Sequence, residues 1–315
     1  MTASSKRQIG MVFPGQGSQH VGMLAELASS HPVVIDTFAA ASRVLGYDLW
    51  QLVQGGPAEQ LSLTPITQPA ILTASVAIWR IWQAKGGAQP VLMAGHSLGE
   101  YSALVCAGAL DFEAAVDLVR QRGQFMQDAV PVGTGTMAAI LGLEDDVVEQ
   151  CCIEAGKVGA VAPANYNSPG QLVIAGHTAA VEAAVALCKA AGAKRAMLLA
   201  VSAPFHSPLM KPAADEFETV LARVEVRSPS IPVIQNADLN ASQDPAIIKR
   251  NLVAQIASPV PWVATMNLFV KRQVTQLLEV GPGKVLAGLN KRINPALETV
   301  PVNDISSLEQ ALEIS

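Results

Sequence analysis

The chain has 315 residues, half of them apolar and 4% aromatic, with a formal charge of -5. It is long enough to bury one large core or a core plus an insert, and its wealth of Ala, Val and Leu suits α/β layers and excludes a disordered or fibrous chain. The acidic balance and the lack of a long basic run exclude a general affinity for nucleic acid.

At the amino terminus, Met1-Thr2-Ala3-Ser4-Ser5-Lys6-Arg7 leads into an apolar run too short for the core of a signal peptide. Ile9 to Phe13 reads as a strand, followed by the loop Pro14-Gly15-Gln16-Gly17-Ser18-Gln19 and a helix through Met23 to Leu27. A glycine loop between strand and helix can cradle phosphate, but the dinucleotide spacing fails, because His20 stands where the third glycine belongs. The other reading is that the glycines let Gln16 approach a neighbouring loop closely. Residues 33 to 85 read as mainly helical, with Thr73 to Trp82 carrying apolar residues at core spacing. Arg80 and Lys85 interrupt the best candidate for a membrane span, so none is expected.

The apolar run from Val91 ends at Gly95, a helix-forming run starts at about Leu98, and Ser97 falls on the corner between them. Gly95-His96-Ser97-Leu98-Gly99 in this setting reads as a nucleophile elbow, in which small neighbours leave room for a strained serine. The same pattern arises by chance in chains rich in Gly and Ala; the strand before it and the helix after it favour the elbow. The Leu98 N-H would then be one donor to a developing oxyanion, and the loop carrying Gln16 can bring a second.

Beyond the elbow, Asp111 is placed to cap a helix that runs to Met126. Arg120 and Arg122 lie on it, and an arginine near a helix end is ordinarily a solvated charge. From Pro131 to Val201 the order is strand (136–141), helix (145–155), strands (160–165 and 171–175), helix (178–191), strand (195–201), which is that of a ferredoxin-like unit. The expected division is therefore a large body, 1–130 with 202–315, and an insert, 131–201, with a ligand cleft between them. Among the five histidines, His96 adjoins the serine and should point away from it, His20 and His31 lie at the first helix, and His177 opens an insert helix where it would cap or face solvent. His206, fixed between Pro204 and Pro208, is left as the base that a serine nucleophile needs. A short strand over 232–236, a helix over 246–256 and a strand over 277–280 follow; Gly281-Pro282-Gly283-Lys284 lacks the remaining features of a phosphate loop and reads as a tight turn opening a helix. The four cysteines, Cys106, Cys151, Cys152 and Cys188, show no metal-ligand spacing, and with no disulfide framework a reducing cytoplasm is expected.

Phe13 to Gln19, Gly95 to Glu100, Arg122-Gly123, Asn167 to Gln171, Phe205-His206-Ser207 and Glu279 to Gly283 occur in that order, and together they resemble the malonyl-CoA:acyl carrier protein transacylases of type II fatty acid synthesis over almost the whole chain. The resemblance implies a hydrolase-like α/β body with a central, mostly parallel sheet and a small ferredoxin-like insert. It implies Ser97 as acyl-bearing nucleophile, His206 as base, the backbone carbonyl of Gln255 orienting His206, and the N-H groups of Leu98 and Gln16 as oxyanion hole. It also implies that Arg122 holds the free malonyl carboxylate, that Met126 and Phe205 line the acyl pocket, and that Asn167 lies close by on the insert side. In related polyketide acyltransferases an aromatic residue before the histidine, like Phe205, goes with malonyl units.

The expected substrates are malonyl-CoA and acyl carrier protein, with coenzyme A as a carrier of the substrate rather than a cofactor, no metal, no nucleic acid or membrane partner, and a monomeric state. The short basic pairs, such as Lys194-Arg195, read as solvated helix ends, or, with Lys284, as docking points for an acidic carrier. A serine esterase or thioesterase using the same elbow, a malonyltransferase serving polyketide synthesis, and a scaffold without catalysis remain as alternatives.

Overall fold

The computed structural model describes residues 8–201 and 203–314; residues 1–7, which the sequence analysis read as leading into an apolar run too short for a signal peptide, lie outside them. Nine strands appear among the described residues: β1 (Ile9–Phe13), β2 (Leu92–Gly95), β3 (Gly135–Leu141), β4 (Val161–Ser168), β5 (Gln171–His177), β6 (Arg195–Leu198), β7 (Val233–Ile234), β8 (Gln276–Val280) and β9 (Thr299–Val302). One sheet runs β7-β2-β1-β8-β9 with all neighbouring pairs parallel. Its central strands, Ile-Gly-Met-Val-Phe and Gln-Leu-Leu-Glu-Val, are buried throughout, as parallel strands covered on both faces must be.

The second sheet runs β4-β5-β3-β6 and is antiparallel. With helices Asp145–Ala155 and Thr178–Ala190 between its strands, it has the ferredoxin-like order that the sequence predicts. Alternate residues part company here: Met137, Ala164, Val173 and Ala175 join the core of the large body, whereas Ala138, Ile140, Leu172 and Ile174 pack beneath the insert's own helices. This period of two uses both faces of a thin sheet as core.

The insert is also tied to the body by main chain. Val260 donates its N-H to the Ala164 carbonyl at 2.8 Å and accepts from the Tyr166 N-H at 3.0 Å, a parallel bridge that extends β4 onto the body. Pro259 and Pro261 flank Val260, so it is the one residue of that tripeptide with an N-H to give.

Several boundaries differ from the expectation. The first helix begins at Ala25, after a turn containing Gly22 and Leu24 at positive φ. Strand β6 stops at Leu198; the Leu199 N-H still donates to the Met137 carbonyl of β3 at 2.9 Å, and beyond the strand Leu199 and Val201 line the cleft. Strand β7 is only two residues long, since Gln235 and Asn236 turn away to bond elsewhere. No helix among the described residues is long and apolar enough to cross a membrane. All four cysteines are free and buried.

Candidate active site

The carboxyl ends of β1, β2, β7 and β8 face one crevice, the usual site of ligand loops on a parallel sheet. At the end of β2 the chain turns sharply into helix Gly99–Cys106, and Ser97 sits on that turn at φ 50°. A β-carbon placed on Gly95 would lie 1.8 Å from the Gly99 carbonyl carbon, and one on Gly99 would lie 2.0 Å from the Phe13 oxygen. Both positions therefore require glycine, and the elbow reading holds.

Three side chains hold this corner. Asn236 Oδ1 accepts the Ser97 N-H at 2.9 Å while its Nδ2 donates to the Gly95 carbonyl at 2.9 Å. Gln255 Nε2 donates to the Ser97 carbonyl at 3.1 Å and to Glu100 Oε2 at 2.7 Å. Glu100 Oε2 accepts also from the Asn236 N-H at 2.9 Å. The strain of a serine at positive φ is thus held by hydrogen bonds on both sides of the residue.

Ser97 Oγ lies 2.7 Å from His206 Nε2, and His206 Nδ1 lies 3.0 Å from the Gln255 carbonyl oxygen. A carbonyl only accepts, so Nδ1 carries the hydrogen and Nε2 is the free base facing the serine hydroxyl. Burial, reinforced by the Arg122 charge and only partly opposed by the bond to Gln255, pushes His206 down to about 3. The imidazole is accordingly neutral in the resting site, as a general base must be.

Arg122 is 1% exposed. Its Nη1 donates to Gln68 Oε1 at 2.9 Å, and its Nη2 to Gln255 Oε1 at 2.8 Å and to Ser97 Oγ at 3.1 Å. Nε has no hydrogen-bond partner, and the Tyr101 ring lies 5.2 Å from the guanidinium carbon. Burial lowers its pKa, with Tyr101 and Glu100 acting to raise it. All its hydrogen-bond partners are neutral, and no ion pair to it is found among the described residues. The ordinary reading of a solvated helix arginine is therefore overturned. The helix is Phe112–Asp128, and Arg122 occupies its buried stripe with Leu118, Val119 and Met126, a spacing from which its burial could have been read.

These groups open onto a cleft of about 260 Å³ between body and insert. Gln16, Leu98, Met126, Phe205 and Asn167 all lie on its wall, so each residue proposed from sequence is brought to one place. Asn167 Oδ1 meets His96 Nε2 at 2.9 Å, and the His96 ring packs on Trp262 at 5.5 Å between centroids; His96 turns from the serine, as expected, yet forms part of the wall. His177 neither caps its helix nor stands free: its Nδ1 accepts the Ala160 N-H at 3.0 Å. Sequence reasoning missed Gln68, Glu100, Asn236 and the side chain of Gln255, polar residues within otherwise ordinary runs. Among the described residues no group of three or more His, Cys, Asp or Glu is arranged to hold a metal.

Comparison with known proteins gives a consistent result. The acyl transferase domain family matches residues 11–292. The malonyl CoA-acyl carrier protein transacylase of Salmonella typhimurium is 56% identical over 97% of this chain and 99% of its own length, and that of Bacillus subtilis is 45% identical over 97% and 96%. Among solved structures, an acyl carrier protein S-malonyltransferase from Vibrio cholerae superposes with TM-score 0.95 at 58% identity, covering 96% of this chain and 99% of that one. The malonyl-transacylase PlMCAT, solved with the type II polyketide carrier protein AntF, gives TM-score 0.97 at 56% identity over 98% and 100%.

Proposed function

The chain belongs to the malonyl CoA-acyl carrier protein transacylases, a family of acyl transferases, and from that premise we propose that Ser97, His206 and Arg122 carry the transfer of a malonyl group from malonyl-CoA to the phosphopantetheine thiol of acyl carrier protein. The observation that carries this reading is a meeting at one atom: Ser97 Oγ touches both the free nitrogen of a neutral histidine and a buried guanidinium whose hydrogen bonds, among the described residues, all go to neutral groups. A buried cation bonded only to neutral groups is a receptor for an anion, and a malonyl half-ester carries one carboxylate beyond the reacting carbonyl.

Chemistry proceeds in two balanced halves. His206 Nε2 takes the Ser97 proton as Oγ attacks the thioester carbonyl; the carbon-sulfur bond breaks, and coenzyme A leaves with the proton that His206 returns. The carrier thiol then gives its proton to His206 and attacks malonyl-Ser97, and the serine oxygen recovers that proton as it departs. The Leu98 and Gln16 amides stabilise the oxyanion, and Ser97's own N-H is committed to Asn236. The Gln255 carbonyl fixes the histidine tautomer, which a carboxylate does in serine proteases while also stabilising imidazolium. Met126, Phe205 and Asn167 bound the acyl group. The division into a body of 1–130 with 202–315 and an insert of 131–201 belongs to the same proposal, with the cleft as the seam.

The acceptor belongs to fatty acid synthesis on this reading. Likeness to PlMCAT, solved with a polyketide carrier, supports service to a polyketide synthase as the second reading, and rates with the two carrier types separate them. Intact-mass spectrometry after brief exposure to malonyl-CoA, acetyl-CoA or methylmalonyl-CoA tests the core of the proposal. A malonyl adduct is expected on the wild type, none on Ser97→Ala, and loading about a hundredfold slower or worse on Arg122→Ala, where the carboxylate would be buried unpaired. Acetyl loading equal to malonyl and indifferent to Arg122 would overturn the malonyl specificity, and rapid release of the acyl group to water would instead identify an esterase.

A further inference from the structure

Glu100 is a buried acid that the mechanism above does not use. It is 0% exposed, and its two oxygens have different surroundings. Oε2 accepts from the Asn236 N-H and from Gln255 Nε2, whereas Oε1 is buried with no hydrogen-bond partner. Through these two bonds Glu100 joins the residues that hold every working group: Asn236 holds the Ser97 N-H, and Gln255 holds the Ser97 carbonyl, His206 Nδ1 and Arg122 Nη2.

We infer that Glu100 is a positioning residue that also exchanges a proton with substrate binding: it is the counter-anion of Arg122 in the empty site, and it takes a proton on Oε1 when the malonyl carboxylate arrives. The inference rests on the reading of Arg122 as the malonyl carboxylate receptor. The physical reason is charge balance, since one buried guanidinium cannot compensate two carboxylates in a medium of low polarity. The geometry lets Glu100 give way, because a proton on Oε1 leaves both bonds to Oε2 in place. The clamp survives the change of charge.

The groups that act on Glu100 are few. Arg122, on helix Phe112–Asp128, favours its ionised form, and Asp238, after β7, opposes it; Tyr101, its chain neighbour, is held protonated far above its ordinary range by burial. His206 and His96, across the site, are both kept neutral by burial. Burial outweighs the stabilising bonds and holds Glu100 up at about 7, so near neutral pH a modest further push is enough to protonate it.

Because binding takes up a proton, affinity for malonyl must fall as pH rises past 7, by at most about tenfold per unit. The test is titration calorimetry of malonyl-CoA into Ser97→Ala, in buffers of different protonation enthalpy at pH 8, with acetyl-CoA as the control for protons exchanged by the coenzyme's phosphates. Between about half a proton and one proton should enter with malonyl-CoA beyond the acetyl control. In Ser97→Ala/Glu100→Gln, whose amide oxygen can still accept both bonds, that excess should vanish and the affinity should lose its dependence on pH. Uptake that persists in the glutamine variant would place the proton on His206 and overturn the inference. Malonyl binding without uptake in Ser97→Ala would overturn it equally, with the functional reading intact. If malonyl-CoA binds no better than acetyl-CoA at any pH, the reading of Arg122 fails and the inference falls with it.

Discussion

Asn236 carries no charge and belongs to no motif, yet it bonds to the N-H of the strained serine and to the Gly95 carbonyl two residues before it. Truncation in Asn236→Ala leaves the Ser97 N-H and the Gly95 carbonyl without partners, a loss of about 1–3 kcal/mol for each buried group left unpaired. A fall in thermal stability is expected together with malonyl loading at least about tenfold slower, both measured on the same preparation; unchanged loading would show that the elbow keeps its shape unaided. Ser97 and His206 were legible because their types and settings are rare, a serine between obligatory glycines and a histidine between prolines. Arg122 was read through resemblance, although its place in the apolar stripe with Leu118, Val119 and Met126 also marks it as buried. The parts played by the side chains of Glu100, Asn236 and Gln255 were not legible, because a hydrogen bond between residues more than a hundred positions apart leaves no mark on local pattern.

At the scale of elements, the sheet delivers its reagents by strand order. Adjacent strands β7, β2, β1 and β8 lead, respectively, into Asn236, Ser97, the loop of Gln16 and the turn that starts the wall helix Val285–Ile293. Spacing between these ends is set by backbone contact, most tightly where Gly99 rests against the Phe13 carbonyl. In Gly99→Ala the new carbon must push β1 and the elbow helix apart, at a cost of about 1–3 kcal/mol or more. Lower melting temperature and loss of malonyl loading are expected together, because the shift moves Gln16 away from Ser97; full loading with only reduced stability would count against the Gln16 amide as an oxyanion donor. Buried Glu279 plays a supporting part by accepting from the Leu286 and Ala287 N-H groups, which pins the wall helix to β8. Helices and strands were largely readable from periodicity, and the misplacements fell at the start of the first helix and at the ends of β6 and β7, where the following residues line the cleft or bond to the groups around it.

For the molecule as a whole, the two sheets share a core and a stretch of ladder. Met137, Val173 and Ala175 of the insert pack in the body's cluster, and Val260 exchanges two main-chain hydrogen bonds with β4. Body and insert are therefore expected to unfold as one cooperative unit, seen as a single transition in scanning calorimetry with calorimetric and van't Hoff enthalpies equal; two resolved transitions would mean that the insert is an independent module. The two-layer plan could be read from the order of elements, but the ladder at Val260 could not, because two prolines flanking a valine look like a linker rather than a strand. Every residue but proline carries the N-H and C=O from which that ladder is made. Ordinary substitution cannot delete such a seam, so the width of the cleft is insulated from drift in side chains, and acyl preference is free to evolve through the lining alone.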